Sequence, residues 1–266
     1  MLRRLLATRK GKPQGPTLDP RLPDGLRVYA VGDIHGRADL LRALLEKIAS
    51  DARDAPAKKE RLVYLGDYID RGHESRQVID VLLEGPPPGF EAIYLKGNHE
   101  ETLLNFLQAP DFGYEWQHYG GLETLASYGV TGLGARLTSE DFNQARDQFE
   151  EALPESHFAF FQALELSACF GDYFFAHAGV RPGVSLENQL SEDLLWIRAE
   201  FTRWRGSFGK VVVHGHSVTE EPELEPNRIG IDTGAYLTHR LTSVVLEGAE
   251  QRFLQTDGAQ QPLPAS

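Results

Sequence analysis

The chain has a single cysteine, Cys169, so no intramolecular disulfide can form. A structural zinc cluster built on several thiolates is excluded on the same ground. Cys169 lies in the apolar stretch LELSACF, where a thiol is expected to be buried and inert. Cysteine usage this low suits a reducing, cytoplasmic compartment. Positive charge is also scarce: 27 Lys and Arg stand against 39 Asp and Glu, a formal net charge of −12. That balance argues against sequence-independent nucleic-acid binding and against adhesion to anionic membranes. No apolar run approaches the ~20 residues of a membrane span. The basic start MLRRLLATRKGK lacks the apolar centre of a signal peptide. Residues 1–24 therefore read as a flexible basic tail, and 257–266 as a second frayed end.

What remains is ample for a core: 41% of 266 residues are hydrophobic. Between 25 and 256 the pattern fits one large domain. LRVYAVG, RLVYLGD and FEAIYLKG read as strands. They alternate with two helical stretches, RADLLRALLEKIAS and SRQVIDVLLEG. In the first, Leu40, Leu41, Leu44, Leu45 and Ile48 recur at helical spacing. This β-α-β-α-β order predicts an α/β fold with parallel pairing, and a site beyond the carboxyl ends of the strands. Residues 101–165 are mainly helical in pattern and read as an inserted layer or cap. Strand-like runs then return in DYFFAHAG, KVVVHGHS, RIGIDTG and TSVVLEG. The expected shape is two packed sheets flanked by helices.

The chemistry gathers where strands end. GDIHG carries Asp33 and His35; GDYIDRG carries Asp67, Asp70 and Arg71; GNHE carries Asn98 and His99. AHAG follows with His177, and HGHS with His214 and His216. One such loop is an ordinary turn. Five, all able to lie on one edge of a sheet, are hard to explain as turns, and their side chains are metal-binding groups of mixed type. Imidazole suits zinc, iron and manganese, and carboxylate or amide oxygens suit manganese and magnesium. The donors are too many for one tetrahedral ion and suit two ions ~3.5–4 Å apart.

The order GDIHG, GDYIDRG, GNHE, HAG, GHS resembles the metal-dependent phosphoprotein phosphatases, within the calcineurin-like metallophosphoesterases. The likeness covers roughly residues 28–247 and is greatest to the short bacterial and phage members, helped by IDTGA at 231–235. It implies a four-layer αββα sandwich of two mixed β-sheets flanked by helices, with a helical cap. It implies two divalent metal ions: manganese is expected, with iron, zinc or magnesium as alternatives. Asp33 and His35 would hold the first ion, Asp67 would bridge, and Asn98, His177 and His216 would complete the second. His99 would be the general acid, Asp70 its support, and Arg71 and Arg198 the phosphate grip. Two divalent ions outweigh the charge of Asp33 and Asp67, so the site can attract phosphate in an acidic protein.

Glu100 and Glu101 read as first-turn helix residues. His214 and His216, two apart on a strand, would share a face; His214 reads as packed or supporting. Asp232 reads as a turn cap or loop orienter and stays outside the predicted site, and His73 reads as exposed. A phosphorylated protein or peptide is the expected substrate, because dinucleoside polyphosphate hydrolases share GDIHG and GNH but typically depart from DRG, at Asp70. Those hydrolases are the alternative. A non-catalytic binding protein is a third reading, which predicts lost ligands.

Overall fold

The computed structural model describes residues 19–134 and 136–257. The first half follows the sequence pattern: β1 (Leu26–Val31), α1 (Ala38–Asp54), β2 (Lys59–Tyr64), α2 (Ser75–Glu84) and β3 (Phe90–Tyr94). β1 pairs in parallel with β2, and β2 with β3. α1 buries Leu40, Leu41, Leu44, Ile48 and Ala52, which return to one face at helical spacing. Asp39 in its first turn and Arg53 in its last suit the helix dipole.

The helical stretch begins at Asn98, three residues before the predicted boundary. It holds α3 (Asn98–Gln108), α4 (Gly113–Trp116), α5 (Gly121–Ser127), α6 (Ser139–Ala152) and α7 (Glu155–Gln162). Thr138 caps α6 in a box with Asp141: each side chain accepts from the other's backbone N–H. Then come β4 (Ser167–Phe170), β5 (Tyr173–Ala176), α8 (Ser191–Trp196), α9 (Ala199–Thr202), β6 (Val211–His214), β7 (Glu223–Glu225) and β8 (Arg228–Gly230). α10 (Ala235–Thr238), β9 (Thr242–Glu247) and β10 (Glu250–Gln255) close the described chain.

Two five-stranded sheets result, in the orders β10-β9-β1-β2-β3 and β4-β5-β6-β8-β7. Period-two alternation divides the side chains into layers. Val28 and Ala30 of β1 face Tyr173 and Phe175 of β5 and Val211 and Val213 of β6, forming the core between the sheets. Tyr29 and Val31 point the other way, under α1, α2 and the helical stretch. Phe174, Ala176 and Val212 pack outward against Leu194 of α8, Ile197 just beyond it and Phe201 of α9. The order is therefore helix, sheet, sheet, helix, as the sequence resemblance implies.

Two expectations change. Residues 19–24 do not trail away: the Leu22 N–H donates to Gly248 O, and its side chain, 4% exposed, joins the core between the sheets. Residues 1–18 and 258–266, the rest of the predicted tails, lie outside the described residues. Cys169 is exposed, not buried. β4 is an edge strand, and alternation along it turns the thiol outward.

Candidate active site

β1, β2 and β3 are mutually parallel in one sheet, and β5, β6 and β8 in the other. Each of these six strands runs into a loop that delivers a polar side chain to one place: Asp33 and His35, Asp67, Asn98 and His99, His177, His216, and Asp232. The first two loops are joined through their backbones: Ile34 and His35 N–H donate to Asp67 O, and Gly36 N–H donates to Tyr68 O. The resulting cleft has a volume of about 480 Å³, and Arg71, Arg198, Tyr119, Trp196 and Val218 also line it. Every predicted site residue except Asp70 and His177 lines this cleft; those two lie just behind it, bonded to residues that do.

The backbone is strained at the chemistry. Among the described residues, His35, Asp67, Asp70, Arg71 and His216 have φ between +47° and +72°, and His239 is the one other non-glycine with positive φ. Each such residue costs of order 1–3 kcal/mol and persists where its surroundings over-determine it. The approach of chain to chain is correspondingly close. A Cβ on Gly97 would lie 2.1 Å from Asp67 Oδ1, and one on Gly215 would lie 1.9 Å from Asp33 Oδ1. Glycine at both positions makes room for the carboxylates.

The imidazoles are aimed by their outer nitrogens. His35 Nδ1 lies 2.9 Å from Ile69 O, and His177 Nδ1 lies 2.9 Å from Leu65 O. A carbonyl only accepts, so Nδ1 carries the hydrogen and Nε2 turns a lone pair inward. His177 Nε2 is then 2.9 Å from Asn98 Oδ1 and 3.4 Å from Asp67 Oδ1. These are three electron-pair donors with no hydrogen among them. His216 Nε2 is buried and has no partner among the described residues. Asp67 faces two ways. Oδ1 is on the His177 side, while Oδ2 is 3.6 Å from His35 Nε2 and 3.7 Å from His99 Nε2. Two groups of donors within 4.8 Å of one another follow, His35–Asp67–His99 and Asp67–His177–His216, with Asp67 common to both. Asp33 sits beside them, its carboxylate accepting the His216 N–H at 3.0 Å. Converging lone pairs around a shared carboxylate fit a pair of divalent cations.

Charge tells the same story. Burial, then Asp232 and Asp67, pushes the Asp33 carboxyl well above the usual range; burial, then Glu100, does the same to Asp67. Burial pulls His35 and His216 well down, and His177 to about 3. Burial of the charged form is the common cause, and Arg71 offsets only part of it at the two carboxyls.

Those shifts predict how a chelated sample responds to pH. Asp70 and Glu100 are each pushed up to about 7, mainly by burial. A raised carboxyl lends stability that is present below its unfolded value, near 4, and lost as pH rises through the folded one. The lowered histidines act oppositely, but only up to their unfolded value near 6.5. Above that only the carboxyls act. Between about pH 7 and about pH 8.5 the melting temperature of chelator-treated protein should fall, while metal-loaded protein changes less. Melting curves read by fluorescence check this; parallel pH profiles would refute the coupling.

Asp70 and His99 form a buried pair, with Asp70 Oδ2 2.6 Å from His99 Nδ1. The helical stretch supports it. Trp116 Nε1–H donates to Asp70 Oδ2 at 2.8 Å, and Thr124 Oγ1–H to Oδ1 at 2.6 Å. Burial pulls His99 down to about 3, with Arg71 and Arg198 adding to it. The Trp116 and Thr124 donors keep Asp70 the acceptor of the pair, so His99 Nδ1 carries the hydrogen between them. Trp116 therefore belongs to the site's support as well as to the core.

Several contributors escape sequence reading. Glu100 is fully buried, and its carboxylate accepts the N–H groups of Asp67, Tyr68 and Gly97 at 2.8–2.9 Å. It clamps two site loops together, a larger task than a first-turn charge. Glu100→Gln puts an amide N–H against backbone N–H groups, and should cost about 1–3 kcal/mol in denaturant unfolding; an unchanged midpoint would refute the clamp. Asp232 lines the cleft, and its Oδ1 accepts the Gly234 N–H. Tyr236 stacks under the Arg71 guanidinium at 4.6 Å and edges onto His35 at 5.4 Å. His214 and His216 do not share a face. β6 ends at His214, and the left-handed His216 turns its ring toward His177. His214 packs edge-on against Phe201 at 4.9 Å. His73 is exposed, as read from sequence.

Comparison with known proteins agrees with this architecture. The family model for calcineurin-like phosphoesterases matches residues 26–241. The chain is 26% identical to the bis(5'-nucleosyl)-tetraphosphatase PrpE (asymmetrical) of Anoxybacillus flavithermus, over 80% of this chain and 88% of that protein. It is 25% identical to the protein of the same name from Oceanobacillus iheyensis, over 82% and 88%. Among solved structures, a candidate diadenosine tetraphosphatase superposes with TM-score 0.58 at 21% identity, covering 86% of this chain and 93% of that one. A Saccharomyces cerevisiae protein serine/threonine phosphatase superposes with TM-score 0.50 at 15% identity, covering 90% and 82%. With the family model spanning most of its length and its fold and donor clusters in place, this chain belongs to the calcineurin-like phosphoesterase family.

Proposed function

We propose that the chain is a dinuclear-metal hydrolase of dinucleoside polyphosphates, cleaving the polyphosphate bridge. The observation that carries this reading is the cleft's cationic equipment. Arg71 and Arg198 both line it, and neither pairs with a carboxylate among the described residues. Two unpaired arginines beside two metal-donor clusters suit a substrate with several adjacent phosphates. The names of the curated relatives support the same substrate class.

Asp33, His35, Asp67, Asn98, His177 and His216 are the proposed metal-holding residues, with manganese the expected ion for activity in vitro. Two divalent ions there would supply a water of lowered pKa and positive charge for the phosphoryl oxygens. The chain does the rest. Arg71 and Arg198 offer forked donors to the charge that builds on the phosphoryl group. His99 Nε2 gives a proton to the departing oxygen. Burial and the two arginines keep the ring neutral in the empty cleft. The Asp70 carboxylate at Nδ1, together with phosphate charge drawn to those arginines, favours its protonation once substrate is bound. What separates His99 from His35 is this partner: His35 leans on a neutral carbonyl, which suits a ligand, and His99 on a carboxylate, which suits an acid.

In this geometry Asp70 does not select a phosphoprotein substrate. Asp70 supports His99 from behind, and does so identically whichever oxygen departs. Phosphoprotein hydrolysis stays as the second reading, because an alkoxide leaving group is where a supported acid matters most. A manganese-loaded assay separates the two: diadenosine tetraphosphate against phosphoserine, phosphothreonine and phosphotyrosine peptides. Turnover confined to the peptides would overturn the first reading.

A further inference from the structure

The cleft has an aromatic corner that neither metal binding nor phosphate grip uses. Tyr119, from the helical stretch, and Trp196, at the end of α8, both line it. Their ring centroids are 6.1 Å apart with planes inclined at 53°. A third ring stacked between two others needs ~7 Å, so nothing planar fits between them; they form a two-sided corner, not a slot. Both polar ends are already engaged. Tyr119 O–H donates to Glu115, and Trp196 Nε1–H to Glu101, each at 2.7 Å. With those bonds made, each residue is fixed in orientation and offers its π-surface. The corner also touches the reacting region: Tyr119 is 5.9 Å from the His99 ring and Trp196 is 6.4 Å from the His216 ring. Gly120 keeps Tyr119 there, since a Cβ at that position would lie 2.5 Å from the Arg71 backbone nitrogen.

The geometry points to a nucleobase subsite: Tyr119 and Trp196 take the base of the nucleotide whose phosphate sits at the metal-donor clusters. The inference rests on the proposed substrate class and adds where its base goes. Because both rings are next to His99 and His216, the base they reach is one ribose from the attacked phosphate; the far nucleoside of a tetraphosphate is several phosphates away. Stacking on aromatics is tolerant of base identity, so the corner selects nucleotides as a class and discriminates little among bases.

Equilibrium binding to the manganese-loaded protein tests this without depending on turnover. The probes are adenosine 5'-monophosphate, ribose 5-phosphate and phenyl phosphate, measured by calorimetry. Wild type should bind the adenylate about 10-fold or more tighter than ribose 5-phosphate. Trp196→Leu and Tyr119→Leu should each erode that preference while leaving ribose 5-phosphate affinity unchanged, and Trp196→Phe should keep most of it. Equal affinity of the two sugars' phosphates in wild type overturns the subsite, even where diadenosine tetraphosphate is hydrolysed. Tightening by phenyl phosphate equal to that by the adenylate also overturns it, and assigns the corner to a phosphotyrosine ring. A retained adenylate preference with no hydrolysis of the dinucleotide leaves the subsite standing and removes the proposed activity.

Discussion

Asp67→Asn is expected to leave the chain folded, to lose both ions, and to lower turnover by about 100-fold or more. Asp67 is the residue common to both donor groups, its two oxygens facing His177 on one side and His35 and His99 on the other. Asparagine keeps one acceptor oxygen, so Asp67 Oδ1's bond from the His99 backbone N–H at 3.2 Å can survive. It also tolerates the left-handed backbone at this position, where φ is +53°. What it removes is the negative charge and the second oxygen lone-pair set. The structural cost is therefore small and the cost in cation binding large, and the melting temperature of the chelated variant should lie close to that of chelated wild type. Metal analysis after dialysis is the direct readout. Asp33→Asn, which leaves the shared Asp67 carboxylate in place, should lose less metal. Retention of both ions and full activity by Asp67→Asn would remove the bridging role.

The parts of this site that could be read from the sequence are those carried by strand ends. A short apolar run, a glycine and a chemically distinctive side chain recur after β1, β2, β3, β5 and β6, and no contact between distant residues has to be known to see them. The parts that could not be read depend on such contacts. Glu100 looks like any acidic residue in a first helical turn; its task appears only when Asp67 and Tyr68, over 30 positions earlier, bring their N–H groups to it. Trp116 and Thr124 reach Asp70 from 46 and 54 positions away. The pair His214 and His216 defeats period-two reasoning for a local cause: the strand stops at His214, and one left-handed residue reverses the next ring. Cys169 fails similarly, because a four-residue edge strand shows one face to solvent, and an apolar neighbourhood in sequence does not say which. The Gly97–Glu100 spacing was the one available hint, being the N-cap and N3 positions of α3.

His99→Asn should lower turnover of phosphoserine peptides about 100-fold or more, and that of diadenosine tetraphosphate by distinctly less. The difference follows from the leaving group. An alkoxide departs poorly without a proton, whereas a phosphate oxygen is already stable as an anion near neutral pH, its second ionisation lying near 6. An activated aryl phosphate should resemble the dinucleotide. The variant should fold, because Trp116 and Thr124 continue to satisfy both oxygens of Asp70 after the imidazole is gone. Metal content decides what the loss means. His99 Nε2 lies 3.7 Å from Asp67 Oδ2, about as far as His35 Nε2 at 3.6 Å, so position alone would let it hold an ion. An acid supported by Asp70 predicts unchanged metal stoichiometry and a loss that grows with leaving-group basicity. Loss of one ion together with equal rate reductions on all three substrates would instead make His99 a ligand, and would pass the task of protonating the leaving group to another residue of the cleft.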